Sequence, residues 1–468
     1  MERTHIGDLK EYIGKEVTIA GWVDVRRDHG KLIFIDLRDA SGKVQMVALP
    51  NHKEAHVTAN MVRSEWVIQV SGRINKRPEK MVNAHEPNGT IELEILSISI
   101  LNEANTPPFD VQSDGKEIGE EHRLRYRYVD LRRSRLQKNI RNRAKILRFV
   151  REQFSEHGFV EIETPLLSAT TPEGSRDYVV PSRIENGKFY SLPQSPQQYK
   201  QLLMTAGFEK YYQIARCFRD EDTRGDRQPE FTQLDMEMSF VGREDVMMLN
   251  EEIMIALVQM LYPEKRIQEV PFPRLTYKEA MEKYGSDKPD LRSDKNDPNL
   301  LAFCWIIDFP FFEKDEDSGG WTFSHNPFSA PKPEHMEHLL SKKDVAHILT
   351  TQYDLALNGA EVAGGSIRNH RPEALKAVFE IMGYSNERIE KSFGHMLAAL
   401  ASGTPPHGGI AWGFDRLVMI LENEPNIRET IAFAKTGEGR DLLMGAPSEI
   451  EAARLRELGL KLDDTKKK

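Results

Sequence analysis

The sequence predicts an α+β protein with more than one domain. At 468 residues the chain is too long for a single hydrophobic core, so two or three domains are expected. Strand-like segments crowd the N-terminal part, whereas strand and helix patterns mix in the rest without the regular alternation of a doubly wound fold. The expected order is a β domain at residues 1–103, a hinge at 104–133, a mixed domain at 134–445 and a C-terminal extension at 446–468.

The first domain is predicted from short segments rich in β-branched and aromatic residues. They occupy residues 17–23, 32–38, 43–47, 66–74 and 91–95. Residues 39–42 supply a polar hairpin turn between the second and third segments. Five strands in a domain of this size suggest a barrel of the oligonucleotide-binding (OB) type. A β-barrel without a ligand fits the same periodicity, and that alternative stays open.

The mixed domain begins with a helix and an edge strand. Apolar residues recur at helical spacing from Leu136 to Phe154, and Gly158 ends the predicted helix. The following segment, 159–165, is strand-like and closes with a proline, which suits the edge or the end of a sheet.

A polar loop at residues 218–230 is the most informative stretch of the chain. It carries Arg219, several carboxylates and the amide of Gln228 between strand-like segments at 211–217 and 231–240, and a second amide, Gln233, follows in the latter segment. A strand, a polar loop and a returning strand would direct these groups into one cavity. Far downstream, Arg416 stands at the start of a helix after a strand of small residues. Two arginines from distant segments suit the binding of a polyphosphate while charge builds up on it.

Composition argues against several other classes of protein. Hydrophobic residues make up 39% of the chain and charged residues 29%, and no apolar run is long enough to span a bilayer. A net charge of -9 speaks against a nonspecific nucleic-acid binder but not against a specific one. Two cysteines, Cys217 and Cys304, form neither a disulfide framework nor a zinc site, so a cytoplasmic location is expected. The chain has no glycine-rich phosphate loop, so side chains would have to hold a nucleotide.

Six motifs, in order along nearly the whole chain, resemble the class II aminoacyl-tRNA synthetases, and within them the aspartyl enzymes of bacterial type. They lie at residues 125–132, 171–178, 192–200, 218–235, 358–368 and 413–416. The resemblance implies an anticodon-binding barrel, a hinge, and a catalytic domain with an antiparallel sheet flanked by helices. It also implies a homodimer that activates L-aspartate with ATP and then acylates tRNA.

The resemblance assigns roles in the nucleotide site. Arg219 and Arg416 are the implied catalytic residues: Arg219 would bridge the α-phosphate and the substrate α-carboxylate, and Arg416 would hold the γ-phosphate. Asp354 and Glu361 are implied Mg²⁺ ligands, since hard carboxylates suit magnesium. From the sequence alone, Asp354 could equally cap a helix, and Arg219 could pair with an acid of its own loop. The implied ATP contacts are Arg219, Asp220, Glu221, Gln228, Glu361, Gly413, Phe414, Asp415 and Arg416.

The implied pocket for L-aspartate carries opposite charges at its two ends. Lys200 and Arg368 would hold the side-chain carboxylate, and acids and an amide would hold the α-ammonium. Charged hydrogen bonds contribute about 1.5–3 kcal/mol each, so two cations would favour aspartate over asparagine by on the order of 10² to 10⁴. Where the family often has a second histidine beside His325, this chain has Asn326. The implied contacts to L-aspartate are Glu173, Gln197, Lys200, Arg219, Asp235, His325 and Arg368.

In the barrel, the resemblance implies recognition of the anticodon. Phe34 would stack on the middle base, but its neighbours Ile33 and Ile35 do not show which face of the strand it takes. His29 matches relatives that also charge tRNA(Asn), whereas Lys80 does not clearly match them. Relaxed specificity for tRNA(Asp) and tRNA(Asn) is favoured, and strict specificity for tRNA(Asp) stays open. The implied anticodon contacts are Arg27, His29, Phe34, Gln45 and Glu92.

One departure from the family lies between Asp290 and Leu301. Bacterial members usually carry an inserted domain there, and this chain has a short polar loop at about 291–300. Activity should survive, because the insert contains none of the implied site residues, but any tRNA contact that the insert makes would be absent.

Three other functions compete with an aspartyl enzyme. An asparaginyl enzyme would not suit two cations in the pocket, and a lysyl enzyme would need acids where Lys200 and Arg368 stand. A noncatalytic RNA-binding paralogue would be expected to lose a phosphate-binding arginine or a metal carboxylate. This chain keeps Arg219, Arg416 and both acids.

Overall fold

The computed structural model describes residues 3–170, 174–315 and 319–463. The chain divides into two compact units, Met1–Glu117 and Ile118–Lys468, so the division falls inside the segment expected to be a hinge. Within the described ranges, no helix combines the length and the apolar character that crossing a membrane requires.

The first unit is a closed five-stranded barrel, as the sequence predicts. Its strands are β1 (Glu16–Asp28), β2 (Ile33–Arg38), β3 (Lys43–Ala48), β4 (Val67–Lys76) and β5 (Ile91–Asn102), with helix α1 (Lys53–Met61) after β3. They close in the order β1-β2-β3-β5-β4, and every pair is antiparallel except β3 and β5. Alternation along β2 buries Ile33 and Ile35 in the barrel core and turns Phe34 outward, which settles the face that the sequence left open.

The second unit contains one eight-stranded sheet and, outside it, pairs of short strands. Its strands are β6 (Val160–Glu161), β7 (Val179–Pro181), β8 (Phe189–Ser191), β9 (Lys210–Phe218), β10 (Glu230–Ser239), β11 (Arg266–Ile267), β12 (Arg274–Thr276), β13 (Leu300–Leu301), β14 (Phe303–Ile307), β15 (Phe312–Lys314), β16 (Trp321–Phe323), β17 (Gln352–Leu357), β18 (Ala360–Ile367) and β19 (His407–Gly413). The short strands outside the sheet are paired as β7–β8, β11–β13 and β15–β16. Its helices are α2 (Glu120–Arg125), α3 (Arg127–Asp130), α4 (Ser134–Glu156), α5 (Gln197–Thr205), α6 (Arg243–Leu261), α7 (Tyr277–Tyr284), α8 (Met336–Ser341), α9 (Pro372–Ile381), α10 (Asn386–Ala401), α11 (Phe414–Leu421) and α12 (Ala452–Glu457).

The large sheet has the order β12-β14-β17-β18-β19-β10-β9-β6. Its six central strands are antiparallel, which confirms the expected antiparallel sheet. The outermost strands β12 and β6 are each parallel to their neighbour, so the complete sheet is mixed. The predicted helix from Leu136 to Phe154 is α4, and Gly158 follows it with a φ of 80°, a conformation that favours glycine.

The two faces of the sheet have different chemistry. Along β10, Leu234 and Met236 join a buried cluster with apolar side chains of α4 and α6, which therefore cover that face. Asp235 and Glu237 alternate with them and point to the opposite face, which carries α5. Period-2 alternation in this central strand thus places carboxylates on one side of the sheet and the main core on the other.

A short loop joins α7 to β13 at the place where the family's insert is expected. The Gln268 side chain holds the beginning of this loop: its Nε2 donates to the carbonyl of Leu291, and its Oε1 accepts from the amide of Ser293. The parallel pair β11 and β13 closes the loop, with the Arg266 amide donating to the Asn299 carbonyl at 2.8 Å.

Candidate active site

Four buried charges on the open face of the sheet form a compact pocket cluster. Lys200 on α5 lies 2.8 Å from Asp235 Oδ1 and 3.2 Å from Glu237 Oε2, both on β10. Arg368, just after β18, donates to both oxygens of Glu237 at 2.9 and 3.2 Å. Because each of the four side chains is at most 2% exposed, two cations and two anions offset one another away from water.

The two carboxylates of the pocket cluster differ in acidity. Burial raises the pKa of Asp235, although the neighbouring Lys200 acts against it. Burial also works to raise the pKa of Glu237, but the charges and hydrogen bonds of Arg368 and Lys200 outweigh it and lower that pKa. Glu237 is therefore the carboxylate that keeps its negative charge, and it pairs with both Lys200 and Arg368.

A relay of side chains orients Gln197 at the start of α5. Burial lowers the pKa of His407, whose Nδ1 lies 2.8 Å from the Pro405 carbonyl. A neutral ring that donates to a carbonyl through Nδ1 must accept through Nε2, so Gln201 Nε2 donates to it at 3.2 Å. Gln201 Oε1 then accepts from Gln197 Nε2 at 3.0 Å. Among the described residues, the side-chain oxygen of Gln197, Oε1, has no hydrogen-bond partner, so it is available to accept from a substrate ammonium group.

Arg219 lies in the polar loop between β9 and β10 and is positioned by an aromatic ring. Its guanidinium carbon is 5.2 Å from the centre of the Phe231 ring, a cation–π contact. In the described part of the chain no carboxylate lies within ion-pair distance of it, so the alternative of a pair within its own loop does not hold there. Its Nε is buried and finds no hydrogen-bond partner in residues 3–170, 174–315 and 319–463, so an anionic ligand would satisfy it.

Arg416, at the start of α11, reaches the same polar loop. Its Nη2 lies 3.1 Å from Asp226 Oδ2, and its Nη1 donates to the backbone carbonyl of Glu361. Its Nε is likewise buried and has no hydrogen-bond partner within the described ranges. Arg416 therefore contacts the loop that carries Arg219, 197 positions away in the sequence. The space between this loop and the start of α11 is the candidate cleft.

Asp354 on β17 and Glu361 on β18 face a common point. A Cβ placed on Gly364 would lie 2.8 Å from Asp354 Oδ1 and 3.2 Å from Glu361 Oε1, so only glycine leaves this space open. Asp354 lies inside a strand and does not cap a helix. Burial and then the charge of Asp354 raise the pKa of Glu361, although its side chain is solvent-accessible, a combination expected of a group that lines a deep cleft. His325 lies beside this pair, with Nε2 3.6 Å from Asp354 Oδ2.

The remaining residues predicted to contact ATP fall into two groups. Asp220, Glu221 and Gln228 stay in the polar loop, where Glu221 accepts from Ser175 and Arg227, and Gln228 Oε1 accepts from the amide of Lys435. The side chains of Phe414 and Asp415, after Gly413, are buried and engaged in packing, so a nucleotide could be contacted only through their backbone. Glu173, predicted to bind the substrate ammonium, lies outside the described residues.

The outward face of the barrel gathers most of the residues predicted to contact an anticodon. Arg27 donates to both oxygens of Asp36 at 2.9 and 3.0 Å and approaches Gln45 Oε1 at 3.4 Å. Arg27 is the cross-strand partner of Phe34, so their side chains share one face. The exposed His29 meets the Phe34 ring edge-on, with 5.5 Å between ring centres. Glu92 faces outward on β5 next to β3, which carries Gln45. An aromatic ring surrounded by polar groups suits an unpaired base.

Comparison with known proteins shows the family to which the chain belongs. A family model described as tRNA synthetases class II (D, K and N) matches residues 119–437, and one described as OB-fold nucleic acid binding domain matches residues 17–101. The chain belongs to the class II tRNA synthetases. A protein of Rubrobacter xylanophilus named Aspartate–tRNA(Asp/Asn) ligase is 40% identical over 98% of this chain and 97% of its own length. One of Staphylococcus saprophyticus named Aspartate–tRNA ligase is 39% identical over 98% and 99%. Within the class, this synthetase therefore belongs to the aspartate–tRNA ligase family.

Solved structures show the same fold. The asparaginyl-tRNA synthetase of Pyrococcus horikoshii, complexed with asparaginyl-adenylate, superposes with a TM-score of 0.75 at 21% identity, over 93% of this chain and 98% of that one. The alignment with the Rubrobacter protein runs over 585 positions, against 468 residues in this synthetase. The relative therefore has more than a hundred residues without a counterpart here.

Sequence reasoning missed Glu237 and Gln201. Glu237 binds both pocket cations, and Gln201 connects Gln197 to His407. A signal for Glu237 was present, since Asp235 and Glu237 stand two positions apart between apolar residues of one strand. No comparable signal marks Gln201, because its partner lies 206 positions away.

Proposed function

We propose that this synthetase joins L-aspartate to tRNA in two steps. In the first, a carboxylate oxygen of the bound amino acid attacks the α-phosphorus of ATP, forming aspartyl-adenylate and releasing pyrophosphate. In the second, a ribose hydroxyl of the terminal adenosine of tRNA attacks the carbonyl carbon of the adenylate, and AMP leaves. Because the substrate supplies its own nucleophile in the first step, the protein has to align the reactants and stabilise negative charge.

The pocket cluster supports aspartate as the amino acid. Lys200 and Arg368 would receive its side-chain carboxylate, and Asp235 with Oε1 of Gln197 would receive its ammonium group. Glu237 fixes both cations before the substrate arrives, which reduces the entropy lost on binding. An asparagine side chain in the same place would bring no negative charge to Lys200 and Arg368, so it would bind less tightly than aspartate.

The cleft beside this pocket supports ATP as the second substrate. Arg219 would neutralise the α-phosphate on which charge develops, and Arg416 would bind the far end of the polyphosphate. Asp354 and Glu361 would hold a Mg²⁺ ion. Two carboxylates that face one open point fit an ion that is usually bound by one or two protein carboxylates together with substrate phosphates. The ion would supply positive charge to the phosphates as pyrophosphate departs.

The observation that carries the proposal is the convergence of two arginines, each with a buried Nε that has no hydrogen-bond partner among the described residues, on one loop next to a pocket of paired charges. Arg219→Ala should reduce aspartate-dependent ATP–pyrophosphate exchange by at least about a hundredfold, because lost charge stabilisation in a transition state costs about that much. Binding of tRNA, measured by filter retention, should stay within a few-fold of wild type.

A matched control for this test is Arg388→Ala. Arg388 also stacks on an aromatic ring, at 3.6 Å from the centre of Tyr384, but lies on α10 outside the cleft. It should leave exchange unchanged. Exchange near the wild-type rate in Arg219→Ala would show that Arg219 is misassigned, and a wild-type protein that exchanges with asparagine or lysine instead of aspartate would replace the proposal.

For the second step we propose relaxed specificity, in which both tRNA(Asp) and tRNA(Asn) are charged. The relatives with names that specify both tRNAs, and the exposed His29 beside Phe34, support it. Rates of aspartylation should be similar for transcripts that carry aspartate and asparagine anticodons. A rate at least about a hundredfold lower with the asparagine anticodon would favour the strict alternative.

We also propose that the protein acts as a homodimer in the cytoplasm. Exposed apolar side chains at Leu166, Leu167, Val179 and Phe189 lie around the β7–β8 hairpin, which an isolated bridge links to the segment after Leu167, and a second copy would cover them. Neither Cys217 nor Cys304 forms a disulfide, which fits a reducing compartment. Sedimentation analysis should give twice the chain mass of 53.7 kDa.

A further inference from the structure

We infer that Arg143 is a positioning residue. It lies on helix α4, outside the cleft, and it fixes the positions of both phosphate-binding arginines through the buried carboxylate of Asp415. The inference rests on the proposed function and identifies a contributor to its first step. Asp415 is 3% exposed and is the second residue of α11.

Asp415 connects two parts of the cleft that are remote in sequence. Its Oδ2 accepts from the backbone amide of Thr232 on β10 at 2.8 Å, across 183 positions of chain. The ladder between β10 and β19 starts one residue later, at the pair Gln233 and Gly413. The carboxylate therefore extends this ladder past the point where β19 gives way to α11, and it fixes the start of the helix against the strand.

Each end of that connection carries one of the arginines. Arg416 is the residue after Asp415, so the direction in which it leaves the helix depends on how the first turn of α11 is held. Phe231, the residue before Thr232, has its ring under the guanidinium of Arg219. A shift of Asp415 would therefore move both cations relative to the polyphosphate.

Arg143 holds Asp415 from the other side. Its Nη1 donates to Asp415 Oδ1, the oxygen that Thr232 does not use, and its guanidinium lies over the Phe414 ring at 4.9 Å. With the Arg143 side chain 15% exposed and the Asp415 side chain 5% exposed, little water is available to replace the arginine as partner. Arg143 thus supplies the counter-charge and clamps two successive residues of α11, while its own atoms stay away from the proposed substrates.

The test measures aspartate-dependent ATP–pyrophosphate exchange by the full-length protein. Arg143→Gln should lower kcat by about 10- to 100-fold, the loss expected from a displacement of the order of 1 Å in aligned groups. The KM for ATP should rise, and the KM for aspartate should stay within about twofold of wild type, because the pocket cluster does not touch Asp415. Arg143→Met, which keeps apolar packing on Phe414 and removes only the charge, should give the same split if Arg143→Gln folds poorly. Arg143→Lys should restore most of the rate.

A double-mutant cycle separates positioning from general stabilisation. Asp415→Asn keeps an acceptor for Thr232 but removes the ion pair, so adding Arg143→Gln to it should cost no more than about threefold. Arg148→Gln is the control, since Arg148 sits on the same helix in a surface pair with Glu152 and is 82% exposed. It should match wild type.

Three results would overturn the inference in a wild type that exchanges normally. They are a kcat for Arg143→Gln and Arg143→Met within about twofold of wild type, equal losses from Arg143→Gln in the wild-type and Asp415→Asn backgrounds, and a loss confined to the KM for aspartate. A wild type without aspartate-dependent exchange would instead remove the proposed function.

Discussion

The guanidinium of Arg368 has most of its N–H groups committed in the free protein. Nε and Nη2 donate to Glu237, Nη1 donates to Ser366 at 2.8 Å, and Nη2 also reaches the Gly409 carbonyl at 3.2 Å. A side chain held this firmly has little freedom to lose when a ligand arrives. Its proposed contribution to substrate specificity therefore comes from a positive charge that is already in place.

The first prediction concerns this charge. Arg368→Gln should lower the preference for aspartate over asparagine by about 10- to 100-fold, because one charged hydrogen bond is worth about 1.5–3 kcal/mol. The measurement is kcat/KM for each amino acid in ATP–pyrophosphate exchange. Arg371→Gln, three positions along the chain in an exposed pair with Glu373, should leave the ratio unchanged. An unaltered ratio in Arg368→Gln would mean that this guanidinium does not read the substrate side chain.

Single residues also show how far the sequence could be interpreted. Arg219, Arg416 and Lys200 could be chosen as candidate site residues because they lie in short motifs with unusual combinations of charged residues. The structural role of Asp415 could not, since the motif that contains it does not reveal a partner on α4 or a backbone amide of β10. Partners that distant are set by tertiary packing, for which one sequence carries no local signal.

At the scale of elements, the segment from α2 to α4 is bound to the short 3-10 turn Ile427–Glu429 by buried ion pairs. Arg123 donates to both oxygens of Glu429 at 3.1 and 2.6 Å, and Arg135 donates to one at 2.9 Å. Burial acts to raise the pKa of Glu429, but these bonds and the nearby arginine charges outweigh it and lower the pKa to about 2. The sequence assigned part of this basic stretch to a hinge, but its arginines anchor the segment to Glu429 inside the catalytic unit.

Acid should weaken this anchor in a defined range. A carboxylate with a pKa lowered by folding stabilises the native state above its unfolded pKa, near 4.5, and that contribution disappears as the pH falls towards about 2. The difference corresponds to about 3 kcal/mol. Glu429→Gln should therefore lower the free energy of unfolding in urea by about 3 kcal/mol at neutral pH, and by progressively less below about pH 4.5.

Glu152→Gln is the control for the acid experiment. Glu152 is 55% exposed in a surface pair with Arg148, where ion pairs contribute little, so its loss should change stability by less than about 1 kcal/mol at any pH. A deficit in Glu429→Gln that stays constant from neutral pH to about pH 3 would show that packing, and not the charge of Glu429, makes the contribution.

Some helices and strands could be predicted from the sequence, and others could not. Helix α4 and all five barrel strands follow from apolar periodicity, and the structure confirms them. The outward face of Phe34 could have been assigned by extending the pattern to Asp36 and Arg38, which share its parity along β2. The parallel edge strands β6 and β12 are two and three residues long, too short for any periodicity to specify their direction.

At the scale of the whole molecule, the barrel and the catalytic unit separate recognition of tRNA from activation of the amino acid. Phe34→Ala should lower kcat/KM for tRNA in aspartylation by roughly 5- to 150-fold, since a stacked base is worth about 1–3 kcal/mol. ATP–pyrophosphate exchange needs no tRNA and should not change. Val57→Ala, at a 61% exposed position on α1, should leave both reactions intact. A parallel fall in exchange would contradict this division of labour.

The loop held by Gln268 has a consequence for protein engineering. Its two ends are brought together by the side chain of Gln268 and by the β11–β13 pair, so the polypeptide leaves and re-enters the catalytic unit at nearly one point. A folded module with adjoining termini could therefore be grafted between Ser293 and Asn296 without stretching either neighbour. The catalytic unit therefore offers an attachment point for an additional domain at this loop.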